Sequence, residues 1–367
     1  MPSHESASNI GAIRDGARRP EIRRLNAMAE PTAGPTVSVV IPAFNAGADL
    51  DRCLEAVMRS DYPLHECIVV DDASTEASTA EIARRHGATL IRMERNSGPG
   101  LARNHGAEHA TGEVLMFTDA DVVLHPGAIG AAARALERNP DVAAVFGSYD
   151  DHPADPSFLS RYRNLYHHWN HQAGNEEAST FWTGCGAVRR AVFLELGGFS
   201  AEFARPSIED IELGYRIRAA GHRIRLLKDM QGTHLKEWTF GDMVKTDVFR
   251  RGVPWMVLLK RHPEVPSDLN LNLGARIATL LAGLFLLFAL LLVPGFPWSL
   301  PAWPAVLAPL AALAGIAWIQ RDFLRLLARR YGAGSALAAV PLQLVFFIGC
   351  GVAVPLGYLR YWSGKKN

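Results

Sequence analysis

Asp119–Ala120–Asp121 follows the apolar run Val114–Thr118 and precedes Val122–Val123. Two carboxylates one residue apart at a strand end can hold one hard divalent cation, and that cation can neutralise a diphosphate. Taken alone, the triplet is equally a solvated turn. Asp71–Asp72 closes a second apolar run, residues 67–70. A carboxylate there can accept hydrogen bonds from the base or ribose of a nucleotide, while Asp72 or Ser74 can instead cap a following helix. Asn96–Ser97–Gly98–Pro99–Gly100, then Arg103–Asn104, offers backbone N–H groups and a guanidinium near a helix start. That combination suits a phosphate or a ribose. Glu209–Asp210 stands at another helix start, where acidic side chains complement the dipole and one can act as general base toward a hydroxyl. His234 is a candidate metal ligand or diphosphate contact.

To act together, these side chains must reach one edge of one structure. Residues 37–41 form a β-branched run ending at Pro42, followed by a turn at Phe44–Asn45–Ala46–Gly47 and an amphipathic stretch to about Arg59. Residues 67–70 read as a second strand, 76–86 as a helix and 89–93 as a third strand. A helix to about Ala110 and a fourth strand, Val114–Thr118, follow. Strands alternating with helices at this spacing imply βαβ units and a mostly parallel α/β sheet. In open sheets of this kind the ligand site lies outside the carboxyl ends of the strands, which is where the acidic clusters fall.

Beyond the fourth strand the pattern is more mixed. Val142–Tyr149 reads as a strand, residues 158–171 as a helix, and a helix begins near Ile208. His167, His168 and His171 lie on the first of these helices and read as a solvated or acceptor-side cluster; Trp169, Trp182 and Trp238 suit either sugar stacking or the core. Residues 238–262 mix Phe240, Trp255 and Leu258 with Lys245, Arg250, Arg251 and Lys260, as expected of a segment lying in a membrane interface or packed on the core.

The 367 residues carry 38 basic and 37 acidic side chains, a net charge near +1 that argues against a general nucleic-acid binder. Charge is missing locally: none falls between Arg276 and Arg321, or between Arg330 and Arg360. Three hydrophobic segments result, near residues 275–293, 305–320 and 335–359, the first long enough to span a bilayer core. Arg321, Arg325, Arg329 and Arg330 belong in the cytoplasm by the positive-inside rule, which puts the α/β portion there too. The tail with Arg360, Lys365 and Lys366 conflicts with that, unless the third segment is re-entrant. Cys53, Cys67, Cys185 and Cys350 are scattered and read as reduced thiols. Residues 1–35 are polar, with Arg14, Arg18, Arg19, Arg23 and Arg24, and read as a solvated basic tail without the apolar run of a signal peptide.

Together these residues resemble the family 2 glycosyltransferases, the large inverting group with the GT-A fold. The likeness rests on Val37–Ser38–Val39–Val40–Ile41–Pro42–Ala43–Phe44–Asn45, on Val69–Val70–Asp71–Asp72–Ala73–Ser74, and on Asn96 through Gly106. Phe117–Thr118–Asp119–Ala120–Asp121, Gly197–Gly198–Phe199 and Glu209–Asp210–Ile211–Glu212–Leu213 complete it, and the apolar C-terminal part is similar to membrane-anchored bacterial members. The resemblance implies a GT-A domain over residues 36–237, an amphipathic interfacial segment over 238–270 and a membrane domain over 271–360. It implies that Pro42, Ala43, Phe44, Asn45, Asp71 or Asp72, Arg103, Asp119, Ala120 and Asp121 hold a nucleotide-diphosphate sugar. Mg²⁺ or Mn²⁺ would sit on Asp119 and Asp121 with His234; Asp210 would be the base, with Glu209 beside it. Gly184, Cys185, Gly186, Trp238, Arg250 and Arg251 would face the acceptor, a lipid-linked or membrane-proximal molecule at the cell inner membrane. Arg250–Arg251–Gly252–Val253–Pro254–Trp255 lacks the Q-x-x-R-W spacing of processive members, so addition of a single sugar is expected. A non-catalytic nucleotide-sugar binder would lack one of the carboxylates. A nucleotidyltransferase would carry a basic loop after its first strand, which Ala43–Phe44–Asn45–Ala46–Gly47 is not.

Overall fold

The computed structural model describes residues 34–203, 205–263, 272–290 and 302–364. The basic tail, most of the 294–304 stretch, and Lys365 and Lys366 lie outside them. The first half follows the expected alternation: β1 (Val37–Ala43), α1 (Gly47–Met58), β2 (Glu66–Asp71), α2 (Ser78–Arg85), β3 (Thr89–Arg92), α3 (Pro99–His109) and β4 (Val114–Thr118). Then come β5 (Val122–Leu124), α4 (Ala128–Arg138), β6 (Val142–Tyr149), α5 (Phe158–Ala173), β7 (Glu177–Ala178), β8 (Cys185–Arg189), α6 (Arg190–Glu195), α7 (Glu209–Ala219) and β9 (Arg223–His234). The C-terminal part is helical: α8 (Phe240–Lys245), a π-helical segment (Thr246–Gly252), α9 (Val253–Arg261), α10 (Leu273–Leu290), α11 (Ala302–Ile319), α12 (Arg321–Tyr331) and α13 (Ala333–Ser363).

One sheet holds the strands in the order β3-β2-β1-β4-β8-β6-β9-β5, with β7 on β9. From β3 to β4 every pairing is parallel, whereas β8 runs antiparallel to both β4 and β6. The sheet is therefore parallel in one half and mixed in the other. β1, β2 and β4 are buried along nearly their whole length, as apolar runs covered on both faces must be. β1 passes through Pro42 and ends two residues later than its β-branched run. It can do so because Val37 and Ala43 turn their carbonyls to the β2 side and Thr36 turns its own to β4, so Pro42 N faces the β4 side, where pairing has stopped at Val40, and its missing N–H leaves no gap in the ladder.

Residues 238–262 pack one side on the rest of the chain and leave Phe240 and Phe249 more than half exposed. Met243, Val248, Val253, Trp255, Val257 and Leu258 are buried, and Trp255 Nε1 donates to Tyr215 on α7 at 3.1 Å. α13 is the other wall: a Cβ on Gly357 would lie 2.3 Å from Met256 Cβ, so the two helices touch backbone to side chain. α10 and α13 are long and apolar enough to cross a membrane. α13 runs unbroken through Pro341 and Pro355 for 31 residues, a rise of about 46 Å.

The basic stretch after the second segment is itself an amphipathic helix. α12 turns 73° away from α11, buries Phe323 and Leu327 among Tyr162, Tyr166 and Trp169 on α5, and pairs Arg330 with Asp151.

Candidate active site

The carboxyl ends of β1, β2 and β4 open on a cleft of about 620 Å³. Pro42, Ala43, Phe44, Asp72, Arg103, Asp119, Ala120, Asp121, Glu209, Asp210, His234, Trp238, Arg250 and Arg251 line it. Asn45, Asp71, Gly184, Cys185 and Gly186 do not.

Arg103 explains how distant parts of the chain converge. It is 3% exposed, and its guanidinium donates to Asp119 Oδ1 at the end of β4 and to Glu209 Oε1 at the start of α7. Burial opposes its charge, but those two carboxylates raise its pKa further. Arg103 is thus a clamp on protein carboxylates rather than an open phosphate ligand. Asn104 performs the matching task for the backbone, exchanging two hydrogen bonds of 2.8 Å with Phe199. Glu209 is committed to Arg103 and to the Ser207 N–H, so it is not available as a base. Asp210, one residue on, faces the cleft. Burial, then the charge of Glu209, pushes its carboxyl up to about 7, against the pull of Arg251 and Arg103. Its oxygens accept from the N–H groups of Ile211 and, at 3.4 Å, Thr183.

The second aspartate of the triplet is oriented by strand register. Val122 pairs with His234 across β5 and β9, which sets Asp121 Oδ2 3.4 Å from His234 Nε2. His234 Nδ1–H donates to Asn164 Oδ1 at 2.8 Å, and the ring stacks 4.3 Å from Tyr149. With Nδ1–H so committed, Nε2 faces the carboxylate favourably only through a second proton or a cation between them. Burial disfavours the Asp121 charge, yet His234 prevails and holds the carboxyl below its usual range. Among the described residues no three acidic, imidazole or thiol side chains converge on one point, because Asp119 turns to Arg103. Asp121 and His234 nonetheless fit a transition-metal ion such as Mn²⁺, which accepts a carboxylate and an imidazole and can complete its shell with substrate phosphates. The second nitrogen of the imidazole, held by Asn164, is what such a ligand requires.

The remaining expectations divide. Asp71 is fully buried, bonded to Ser74 N–H and Arg92, and Asp72 receives the N–H groups of Ser97 and Gly98 at 2.8 Å. Asp71 therefore fixes the β2–α2 turn, and Asp72, although it lines the cleft, ties down the loop before α3. Asn45, at φ +49°, receives Thr75 and Glu76 N–H groups and shapes the same turn. Gly184–Cys185–Gly186 does not lead an acceptor to the backbone. A Cβ on Gly184 would meet the Trp182 ring at 2.3 Å and one on Gly186 the Trp182 carbonyl at 2.2 Å, while Cys185 is buried in β8. These residues are small so that Trp182 can fold over them, and its ring lines the cleft instead. Of the α5 histidines, His167 and His168 are partly exposed and His171 is not. His171 is buried against the Gly147 carbonyl, and burial pushes its imidazole down to about 4.

Sequence reasoning passed over Tyr149, Lys236, Arg163 and Asn164, which also line the cleft. Lys236 Nζ lies 4.3 Å from the Trp238 ring, and burial lowers its pKa. The signal available for Tyr149 and Lys236 was their place at or just beyond a strand's carboxyl end; for the α5 pair there was none.

The family model described as Glycosyl transferase family 2 matches residues 38–197. An uncharacterized glycosyltransferase of Haemophilus influenzae is 27% identical over 48% of this chain and 60% of its own length. Validoxylamine A glucosyltransferase of Streptomyces hygroscopicus subsp. limoneus is 27% identical over 58% of this chain and 56% of its own. The chain thus spans less than two thirds of either relative. Among solved structures, the mannosyltransferase PcManGT of Pyrobaculum calidifontis, in complex with GDP-Man and Mn²⁺, is 22% identical over 92% of this chain and 90% of its own, with a TM-score of 0.49.

Proposed function

Because this chain carries a glycosyltransferase family 2 domain, we propose that it moves a single sugar from a nucleotide-diphosphate donor to a lipid-linked or membrane-proximal hydroxyl, with inversion. The observation that carries this reading is the division of labour between neighbouring carboxylates. Arg103 ties up Asp119 and Glu209, leaving Asp121 beside His234 and Asp210 open to the cleft with its pKa at about 7. A base poised near neutrality suits removal of a hydroxyl proton.

In the proposed reaction Phe44, half exposed at the mouth, offers a ring face to the nucleotide base. Asp210 takes the acceptor proton as the acceptor oxygen bonds to the anomeric carbon. The bond from that carbon to the diphosphate breaks, and the nucleoside diphosphate leaves with its electron pair. Asp121 and His234 would hold Mg²⁺ or Mn²⁺, whose charge stabilises the leaving diphosphate. Lys236, Arg250 and Arg251 line the same cleft and add positive charge where phosphate charge develops. The membrane helices, and a basic α12 docked on the catalytic domain, support a multi-pass protein of the cell inner membrane with its catalytic domain facing the cytoplasm.

The test is nucleoside diphosphate release by the detergent-purified protein from a panel of nucleotide sugars, with and without Mn²⁺ and with membrane lipid extract as acceptor. Metal-dependent release from one donor, abolished in Asp121→Ala, is expected. Asp210→Asn should bind that donor but transfer about 10²–10⁴-fold more slowly. Near-normal turnover by Asp210→Asn would remove the base assignment.

A further inference from the structure

A second cavity, of about 700 Å³, begins where the cleft ends. The two share Arg163, His167, Trp182, Ser207, Asp210 and Arg251, so they meet at the candidate base. Away from that junction the second cavity becomes a trough between α9, α10 and α13, walled by Met256, Leu259, Thr279, Leu280 and Val354. Leu280 and Val354 are 70% and 40% exposed, so the trough is open along the two helices able to cross a membrane. Its polar end is different in kind. Arg163 is neutralised by Asp247, whereas Arg251 makes no ion pair among the described residues and stands toward Asp210.

We propose that this trough is the acceptor site, and that the acceptor is a membrane lipid whose headgroup carries both a hydroxyl and an anionic group. The lipid enters sideways past Leu280 and Val354, lays its hydrocarbon chain along α9 and α13, and meets Arg251 with its anionic group. Its hydroxyl then lies at Asp210, opposite the side from which the donor comes. A hydrocarbon chain asks nothing of such walls but apolar contact. An extended peptide would leave its N–H and C=O groups unpaired there. This assignment rests on the transferase reading and names the substrate class for the same base.

The full chain is placed in phosphatidylcholine nanodiscs containing phosphatidylglycerol with a diazirine midway along one acyl chain. After illumination the labelled residues are mapped by mass spectrometry, and nucleoside diphosphate release from the donor panel is measured on the same sample. Label on Met256, Leu259, Thr279 and Val354 should exceed that on Leu307 and Leu310, which are exposed on α11 outside the trough, several-fold. Val354→Trp or Thr279→Trp, which fills the trough, should cut it at least ten-fold, while Leu310→Trp should not. Label confined to Leu307 and Leu310, with diphosphate release intact, overturns the trough and leaves the transferase reading standing. A labelled trough with no donor turned over overturns the acceptor role and the transferase reading together.

Discussion

Arg103 joins two carboxylates that stand far apart in sequence, one after β4 and one opening α7, and its side chain is almost wholly buried. Arg103→Met would leave Asp119 and Glu209 close together without their cation, and breaking a buried pair of this kind costs about 3–5 kcal/mol. Chemical denaturation should report that loss, with Lys at the same position recovering only part of it because a single ammonium cannot span both acceptors. Asp210 makes the opposite case. Its pKa is raised in the folded protein, from the usual value near 4 to about 7, so the folded state binds this proton more tightly than the unfolded chain. Its contribution to stability is therefore full below about pH 4 and is lost as pH rises through about 7. Asp210→Asn, which has no such proton to lose, should melt above wild type at pH 8 and approach it at pH 5, in paired thermal scans. The rate of transfer should run the other way, rising with pH and levelling above about 7 in wild type, because only the ionised carboxylate accepts the hydroxyl proton.

Among the elements, the π-helical segment that carries Arg250 and Arg251 is fixed from two sides, by Ser207 Oγ donating to the Arg250 carbonyl at 2.7 Å and by α13 behind it. α9 continues that support, with Gly357 of α13 admitting Met256. Gly357→Leu should push α9 off α13, lower the melting temperature by several degrees and reduce transfer. Donor binding measured by calorimetry should change less. The strands that end at the cleft were legible in the chain itself, because a strand buried on both faces is written as an unbroken apolar run and its acidic end stands out against it. Asp119–Ala120–Asp121 was found in that way, and Asp210 by its place at a helix start. The clamp was not, since Arg103 beside a glycine-rich turn looks the same whether it meets phosphate or protein; only the packing of α3 against α7 decides. Gly184 and Gly186 misled for a related reason. A small residue marks a close approach without naming what approaches, and here it is Trp182. The docking of α12 was hidden too, because Phe323 and Leu327 acquire meaning only beside Tyr162 and Tyr166.

At the scale of the molecule, α5 meets the C-terminal helices through Phe323 of α12 and through Gln343 and Phe346 of α13, and α7 meets α9 through Tyr215 and Trp255. Phe323 is fully buried at the first of these contacts, and Phe323→Ala, an exchange that costs about 3–5 kcal/mol in a packed site, should loosen it. Faster hydrogen exchange in α12 and the facing turns of α5, with β1, β2 and β4 still protected, is the expected pattern. The two cavities that meet at Asp210 carry a kinetic consequence. On the proposed reading a donor in the cleft would leave the trough open and a lipid in the trough would leave the cleft open, so neither substrate would have to precede the other. Initial rates should give intersecting double-reciprocal lines. The nucleoside diphosphate should inhibit competitively against the donor and noncompetitively against the lipid, since one product leaves through water and the other sideways along the helices.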